Sequence, residues 1–201
     1  MIDGWAHKKM EPLLSALARP LSAAGVSANA ITAASLATGL AAGLAIALGR
    51  FWLALLLILL SRLGDGLDGA VARIRGGTDL GGYMDIVFDF VYYGAIPLGF
   101  IFYDPATNGI AGAVLLFSFY VNGASFLAYA VIAEKRGMST NARGRKSFFF
   151  TTGLAEAGET LVVFALACLW PQWFPLAAYV FAVVTLYTTG SRVVLASRVF
   201  R

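Results

Sequence analysis

The sequence predicts an all-α integral membrane protein with six transmembrane helices, preceded by an N-terminal amphipathic helix lying at the membrane interface. Three observations carry this. Of 201 residues, 59% are hydrophobic and only 13% charged, and the mean hydropathy is +0.77, far from the near-even balance of soluble domains. The apolar residues gather into runs that match the ~20 helical residues needed to cross a hydrocarbon core about 30 Å thick. The Lys and Arg residues between those runs are plentiful on alternate connections and nearly absent from the others, as in multi-pass membrane proteins.

The runs follow in order. The first is 29–48. The second, 51–73, is apolar through Ser61 and then carries Arg62, Asp65 and Asp68. The third, 80–103, holds Asp85 and Asp89; the fourth is 108–133; the fifth, 147–170, holds Glu156 and Glu159; the sixth is 173–195. Ahead of them, Leu13, Leu14, Leu17 and Leu21 recur at helical spacing against Lys9, Ser15 and Arg19, with Pro12 suited to a first helical turn. Residues 1–24 are therefore read as the interfacial helix and 25–201 as the six-helix bundle, one domain without internal repeat, low-complexity tract or linker. Lys8 and Lys9 are followed by Glu11, Pro12, Arg19 and Pro20 rather than an apolar secretory segment, so the chain is expected to be mature from Met1.

Six crossings put both termini on one side. That side holds His7, Lys8, Lys9, Arg19, the turn 73–75, the loop 134–146, Arg198 and Arg201, whereas the other connections carry only Arg50. The positive-inside rule places both termini in the cytoplasm, and the bacterial inner membrane is the expected location. The net charge of +4 then speaks for anionic membrane lipids, and no nucleic-acid partner is expected. The single cysteine, Cys168, excludes an intramolecular disulfide and a Cys zinc site.

Carboxylates in a bilayer core are expensive and need a reason. Asp65 and Asp68 stand at i and i+3 in one helix, Asp85 and Asp89 at i and i+4 in the next, so each pair shares a helix face. A short turn joins the two segments as antiparallel neighbours. At 1.5 Å per residue, Asp65 lies ~12 Å in from Arg73 and Asp89 ~13 Å in from Leu80, so the pairs meet at one level. Four oxygen donors around a cleft suit Mg²⁺ or Mn²⁺ rather than zinc, and two such ions would balance four negative charges. The plainer alternative is structural ion pairing with Arg62, Arg73 and Arg75. Gly64 and Gly66 fit close helix packing, Gly69 an open wall for a bulky ligand, and Asp79 a solvated turn.

The pattern Asp65-x-x-Asp68-Gly69-x-x-Ala72-Arg73, followed by Gly81-x-x-x-Asp85-x-x-x-Asp89, resembles the signature of the CDP-alcohol phosphotransferase family. Eight fixed residues fall within 25 positions, and the resemblance extends over the chain through the interfacial helix and six crossings. Seven residues separate Arg73 from Gly81 where the family commonly has eight, which leaves Gly82 as an alternative to Gly81. Ala28 stands where a proline often precedes Asn29. The resemblance implies transfer of a phosphatidyl group from CDP-diacylglycerol to a polar alcohol with release of CMP, at a cytoplasm-facing site. It further implies Asp65, Asp68 and Asp85 as metal ligands, and Asp89 as general base and possible further ligand. Gly69, Ala72, Arg73 and Gly81 would form the donor site, with Arg73 on the diphosphate; Asn29 and Thr32 would reach the nucleotide. A homodimer is implied too, and Gly94, Gly99, Gly123 and Ala124 would permit close helix contact.

The acceptor is less legible. The loop 135–146 is basic; it reads either as a solvated segment attracted to anionic lipid or as a phosphate site using Arg143, Arg145 or Lys146. Arg192, near the inner end of the sixth run, needs a partner and is a further candidate. Glu156 and Glu159 either pair with Arg62 or Arg192 or line an acceptor pocket. Glycerol 3-phosphate, serine and an inositol phosphate all remain open. A related branch takes CDP-choline or CDP-ethanolamine as donor and diacylglycerol as acceptor, but the compact length favours CDP-diacylglycerol. A membrane cation transporter is the alternative from another class; it would need polar groups beyond the level of the acids, and no acidic residue is evident in the outer half of the bundle.

Overall fold

The computed structural model describes residues 2–138 and 157–201, and these are helical without a strand. Helix α1 spans Ile2–Ala23, α2 Ala28–Ala47, α3 Phe51–Arg75, α4 Asp79–Tyr103, α5 Pro105–Lys135 and α6 Ala157–Leu169. A 3₁₀ turn, Pro171–Trp173, leads into α7, Phe174–Val199.

Local chemistry sets several of these boundaries. Ser27 caps α2 by accepting the Ala30 N–H at 3.2 Å, and Thr78 caps α4 by accepting the Gly81 N–H at 3.0 Å. Asp79, expected in a solvated turn, is therefore the first residue of α4. Asp104 caps α5 by accepting the Thr107 N–H at 3.1 Å, and Pro105 takes the first helical position, where its missing N–H has no partner to lose. Hydrogen bonds from Thr107, side chain and amide, hold the exposed Asp104 carboxyl below the usual carboxylate range. Pro12 does not start α1, which begins at Ile2 and runs through both Pro12 and Pro20; each proline removes one backbone hydrogen bond and favours a bend there.

Helix α1 packs by one face: Leu14 and Ala18 are buried against Ala70 and Val71 of α3, while Leu13 and Leu17 stay exposed. An apolar edge left open beside a packed one suits a helix at a membrane interface. The remaining helices pack α2 against α3 and α4, and α5 against α7. Their common core holds Ile46, Ile58, Tyr92, Ile96, Phe100 and Phe164, and Phe100 stacks on Phe174 with ring centroids 4.3 Å apart. Large side chains face outward as well, among them Trp52, Phe102, Ile110, Tyr120 and Val183, the inverse of a soluble surface.

Helices α2, α4 and α5 and the stretch Pro171–Val199 are each long and apolar enough to cross a membrane, and the chain is an integral membrane protein. Against the six crossings expected, these are four. Helix α3 has 25 residues, enough to span, but Arg62, Asp65, Asp68, Arg73 and Arg75 lower its hydropathy. The described part of α6 has 13 residues, and the start of the fifth run lies outside the described residues.

Two of the glycines assigned to contact between copies are used within the chain. A Cβ on Gly99 would collide with the Gly43 carbonyl of α2, and one on Gly123 with the Phe90 ring of α4. Gly94 has open space around its α-carbon and Ala124 is exposed. The α2–α4 approach is tight because both sides lack side chains: a Cβ on Gly43 would lie 2.8 Å from the Ala95 carbonyl oxygen.

Candidate active site

The turn between α3 and α4 comprises only Gly76, Gly77 and Thr78, with Gly76 at φ 91°, where a side chain would be strained. So short a connection turns the chain back; α3 and α4 pack on α2 rather than as the close neighbours that the sequence predicts, yet their acidic residues come together. Carboxylate oxygens of Asp65, Asp68 and Asp85 all lie within 4.8 Å of one another. Asp68 is 6% exposed whereas Asp85 is open, so the cluster runs from the bundle interior out to its rim.

The donor set fits a hard divalent cation. Its donors are all carboxylate oxygens, and Asp68 Oδ2 is buried without a hydrogen-bond partner among the described residues. A buried unpaired carboxylate oxygen is unfavourable unless something positive meets it. The cluster itself supplies no such group.

Asp89 adjoins this threesome through a shared arginine. Arg62 of α3 donates to its Oδ1 at 2.7 Å and lies 3.6 Å from Asp65 Oδ2. The Arg62 guanidinium rests 3.8 Å above the ring of Tyr92. Part of the plainer ion-pair reading is thus present, at Arg62. Arg75 instead donates to the Val26 carbonyl at 2.8 Å, and Arg73 reaches back so that its Nη1 would lie 3.7 Å from a Cβ on Gly69.

Beside the cluster is a cavity of about 470 Å³ whose wall includes Asn29, Thr32, Asp68, Gly69, Ala72 and Asp85. Both Gly81 and Gly82 border it. Their roles differ, because a Cβ on Gly81 would lie 2.8 Å from Asn29 Oδ1 whereas one on Gly82 would meet nothing within 4 Å. The Thr32 hydroxyl donates to the Ala28 carbonyl of its own helix at 3.0 Å. The cavity and the orphaned Asp68 oxygen therefore share one wall. Arg75, Gly76 and Gly77 also line it; in the sequence the two glycines read only as a turn and Arg75 as a cytoplasmic cation or an ion-pair partner of the acids.

Among the acceptor candidates, Arg192 of α7 is pinned to α5: its Nη1 donates to Asn122 Oδ1 at 3.0 Å, to the Asn122 carbonyl at 3.1 Å and to Ser125 Oγ at 2.6 Å. Glu159 lies in the first turn of α6. Arg143, Arg145, Lys146 and Glu156 lie outside the described residues.

Residues 25–191 match the family model of CDP-alcohol phosphatidyltransferase. The chain is 42% identical over 193 residues to inner membrane protein YnjF of Escherichia coli (strain K12), covering 96% of this chain and 94% of that one. Solved structures of Mycobacterium tuberculosis phosphatidylinositol phosphate synthase (PgsA1) share the fold. The form with CDP-DAG bound aligns at a TM-score of 0.70 and 22% identity, over 90% of this chain and 92% of that one. The form in complex with manganese and citrate aligns at 0.70 and 23%, over 90% and 87%. At such identities the likeness speaks for the fold.

Proposed function

The chain belongs to the CDP-alcohol phosphatidyltransferase family, and on that premise we propose that it transfers a phosphatidyl group from CDP-diacylglycerol to a polar alcohol, releasing CMP. The observation that carries this reading is the shared wall: the cavity bordered by Asn29, Thr32, Gly69 and Ala72 also exposes Asp68 and Asp85 of the carboxylate cluster. Its volume of about 470 Å³ is in the range of small-ligand and cofactor sites. The solved relative with CDP-DAG bound supports the same donor.

Asp65, Asp68 and Asp85 would hold the cation, Mg²⁺ or Mn²⁺, and the relative solved with manganese supports this choice. A cation bound there supplies positive charge against the donor's diphosphate. Three clustered carboxylates together with a diphosphate present enough negative charge to support two ions, with Arg73 adding its own charge from beside Gly69. Asn29 and Thr32 border the part of the cavity assigned to the nucleotide, and the bare surface of Gly69 leaves room for it, while Gly81 lets Asn29 approach α4 closely. Asp89 receives the proton of the acceptor hydroxyl as that oxygen bonds to the phosphorus and the phosphorus–oxygen bond to CMP breaks.

The six-crossing topology, cytoplasmic termini and an inner-membrane location remain part of this reading, supported by the distribution of Lys and Arg and by the relative's name. A homodimer is included, with Gly94 and Ala124 as the open small residues. For the acceptor, Arg192 is favoured: among the described residues its hydrogen-bond partners are neutral, so its charge is available to an anionic alcohol. Arg143, Arg145, Lys146, Glu156 and Glu159 complete the candidate set.

The test is CMP release by the purified protein in liposomes containing CDP-diacylglycerol and Mn²⁺, offered glycerol 3-phosphate, serine and an inositol phosphate in turn. Release stimulated by one acceptor supports the proposal. No release with any alcohol, while a nucleotide still binds, would assign the cavity another purpose.

A further inference from the structure

Asp65 stands between two glycines, and each glycine is filled from a different helix. At 3.6 residues per turn, Asp65, Asp68 and Ala72 share one side of α3, while Leu63, Leu67 and Ala70 share the other, where α1 packs. Gly64 and Gly66 lie at the borders between these sides. A Cβ on Gly64 would collide with the Ser35 hydroxyl of α2, and one on Gly66 would lie 3.1 Å from Leu14 Cδ1 of α1. The α2 border is held by hydrogen bonds: the Ser61 hydroxyl donates to the Ser35 carbonyl at 2.8 Å, and the Ser35 hydroxyl donates to the Ile31 carbonyl at 2.9 Å. The α1 border is held by packing, with Leu14 and Ala18 buried in one cluster with Ala70 and Val71. Leu14 therefore touches α3 between the two carboxylates that this helix gives to the cluster.

We infer that Leu14 is a positioning residue for the carboxylate cluster: seated in the notch that Gly66 leaves, it fixes the turn of α3 that carries Asp65 and Asp68, and so sets their oxygens against Asp85. The inference rests on the reading of this cluster as a cation site. Oxygens that lie within 4.8 Å of one another close on one ion only if their supports hold to within about 0.5 Å. A Cβ at 3.1 Å from Leu14 requires Leu14 or α3 to give by a few tenths of an ångström, a shift of the same order. Helix α1 thereby acts on the cation site without contributing a ligand to it.

The experiment measures Mn²⁺ affinity by electron paramagnetic resonance on the full chain in nanodiscs, without donor, and the thermal midpoint alongside. Gly66→Ala crowds Leu14, and Leu14→Ala empties the notch; each weakens Mn²⁺ binding roughly 3- to 10-fold. The double variant puts the new methyl group into the vacated space and recovers part of the affinity that either single change loses. Leu14→Met, similar in volume, stays near wild type. Leu13→Ala shortens a 54% exposed leucine of the same helix and leaves Mn²⁺ affinity unchanged. Alanine is a better helix former than glycine, so Gly66→Ala keeps the test open if Leu14→Ala does not fold. A merely structural contact would lower the thermal midpoint and leave the Mn²⁺ affinity of the folded protein alone; that result, or losses that simply add in the double variant, overturns the inference while the cation reading stands. Wild-type protein that binds no Mn²⁺ overturns the cation reading and the inference with it.

Discussion

Gly81 of α4 comes so close to Asn29 of α2 that a Cβ on the glycine would lie 2.8 Å from Asn29 Oδ1. This approach closes the cavity where the nucleotide is proposed to bind. Because the obstructing atom ends a side chain, Gly81→Ala is expected to fold while displacing Asn29, raising the donor KM several-fold with little change in kcat. Gly82→Ala, which meets nothing within 4 Å, is expected to leave the donor KM near wild type. Steady-state kinetics of the two variants check both.

At Gly43 the obstruction is backbone. A Cβ there would lie 2.8 Å from the Ala95 carbonyl oxygen, which cannot rotate away, so Gly43→Ala must separate α2 from α4. Overpacking of this kind destabilises by about 1–3 kcal/mol. Thermal unfolding in detergent should show a lower midpoint for Gly43→Ala than for Gly94→Ala, whose position is open.

Asp68 and Asp89 should fail differently. Asp68→Ala removes a member of the three-carboxylate cluster and should weaken metal binding, so that raising Mn²⁺ partly restores turnover. Asp89→Asn keeps size and one oxygen but removes the proton acceptor, and a loss of roughly 10² to 10⁴ in kcat is expected that no metal concentration recovers. Metal titrations of turnover separate the two. Near wild-type kcat in Asp89→Asn would move the base elsewhere, with Glu156 and Glu159 next to test.

Much of the site could be read in the sequence because its logic is helical. Intervals of three and four residues fix which carboxylates share a face, and the short turn between Arg75 and Asp79 fixes that the two faces meet. What joins different helices was harder to read. That Arg62 would choose Asp89 depends on where Tyr92 places its ring, and that depends on Gly39 in a third helix. That Gly99 and Gly123 would be filled from within the chain likewise depended on which helix faced them, since a small residue looks alike in either setting. Boundaries moved where a single side chain decided them, as when the Thr78 hydroxyl drew Asp79 into α4.

Transfer of a phosphatidyl group at the carboxylate cluster can be followed by supplying acyl-labelled CDP-diacylglycerol in liposomes, with the acceptor found to stimulate release, and measuring CMP and labelled phospholipid together. The two should appear one to one, both should cease when EDTA exceeds the divalent cation, and at an unchanged cation concentration both should fall sharply in Asp68→Ala. CMP formed without a new phospholipid, or undiminished transfer in Asp68→Ala or in excess EDTA, would contradict it.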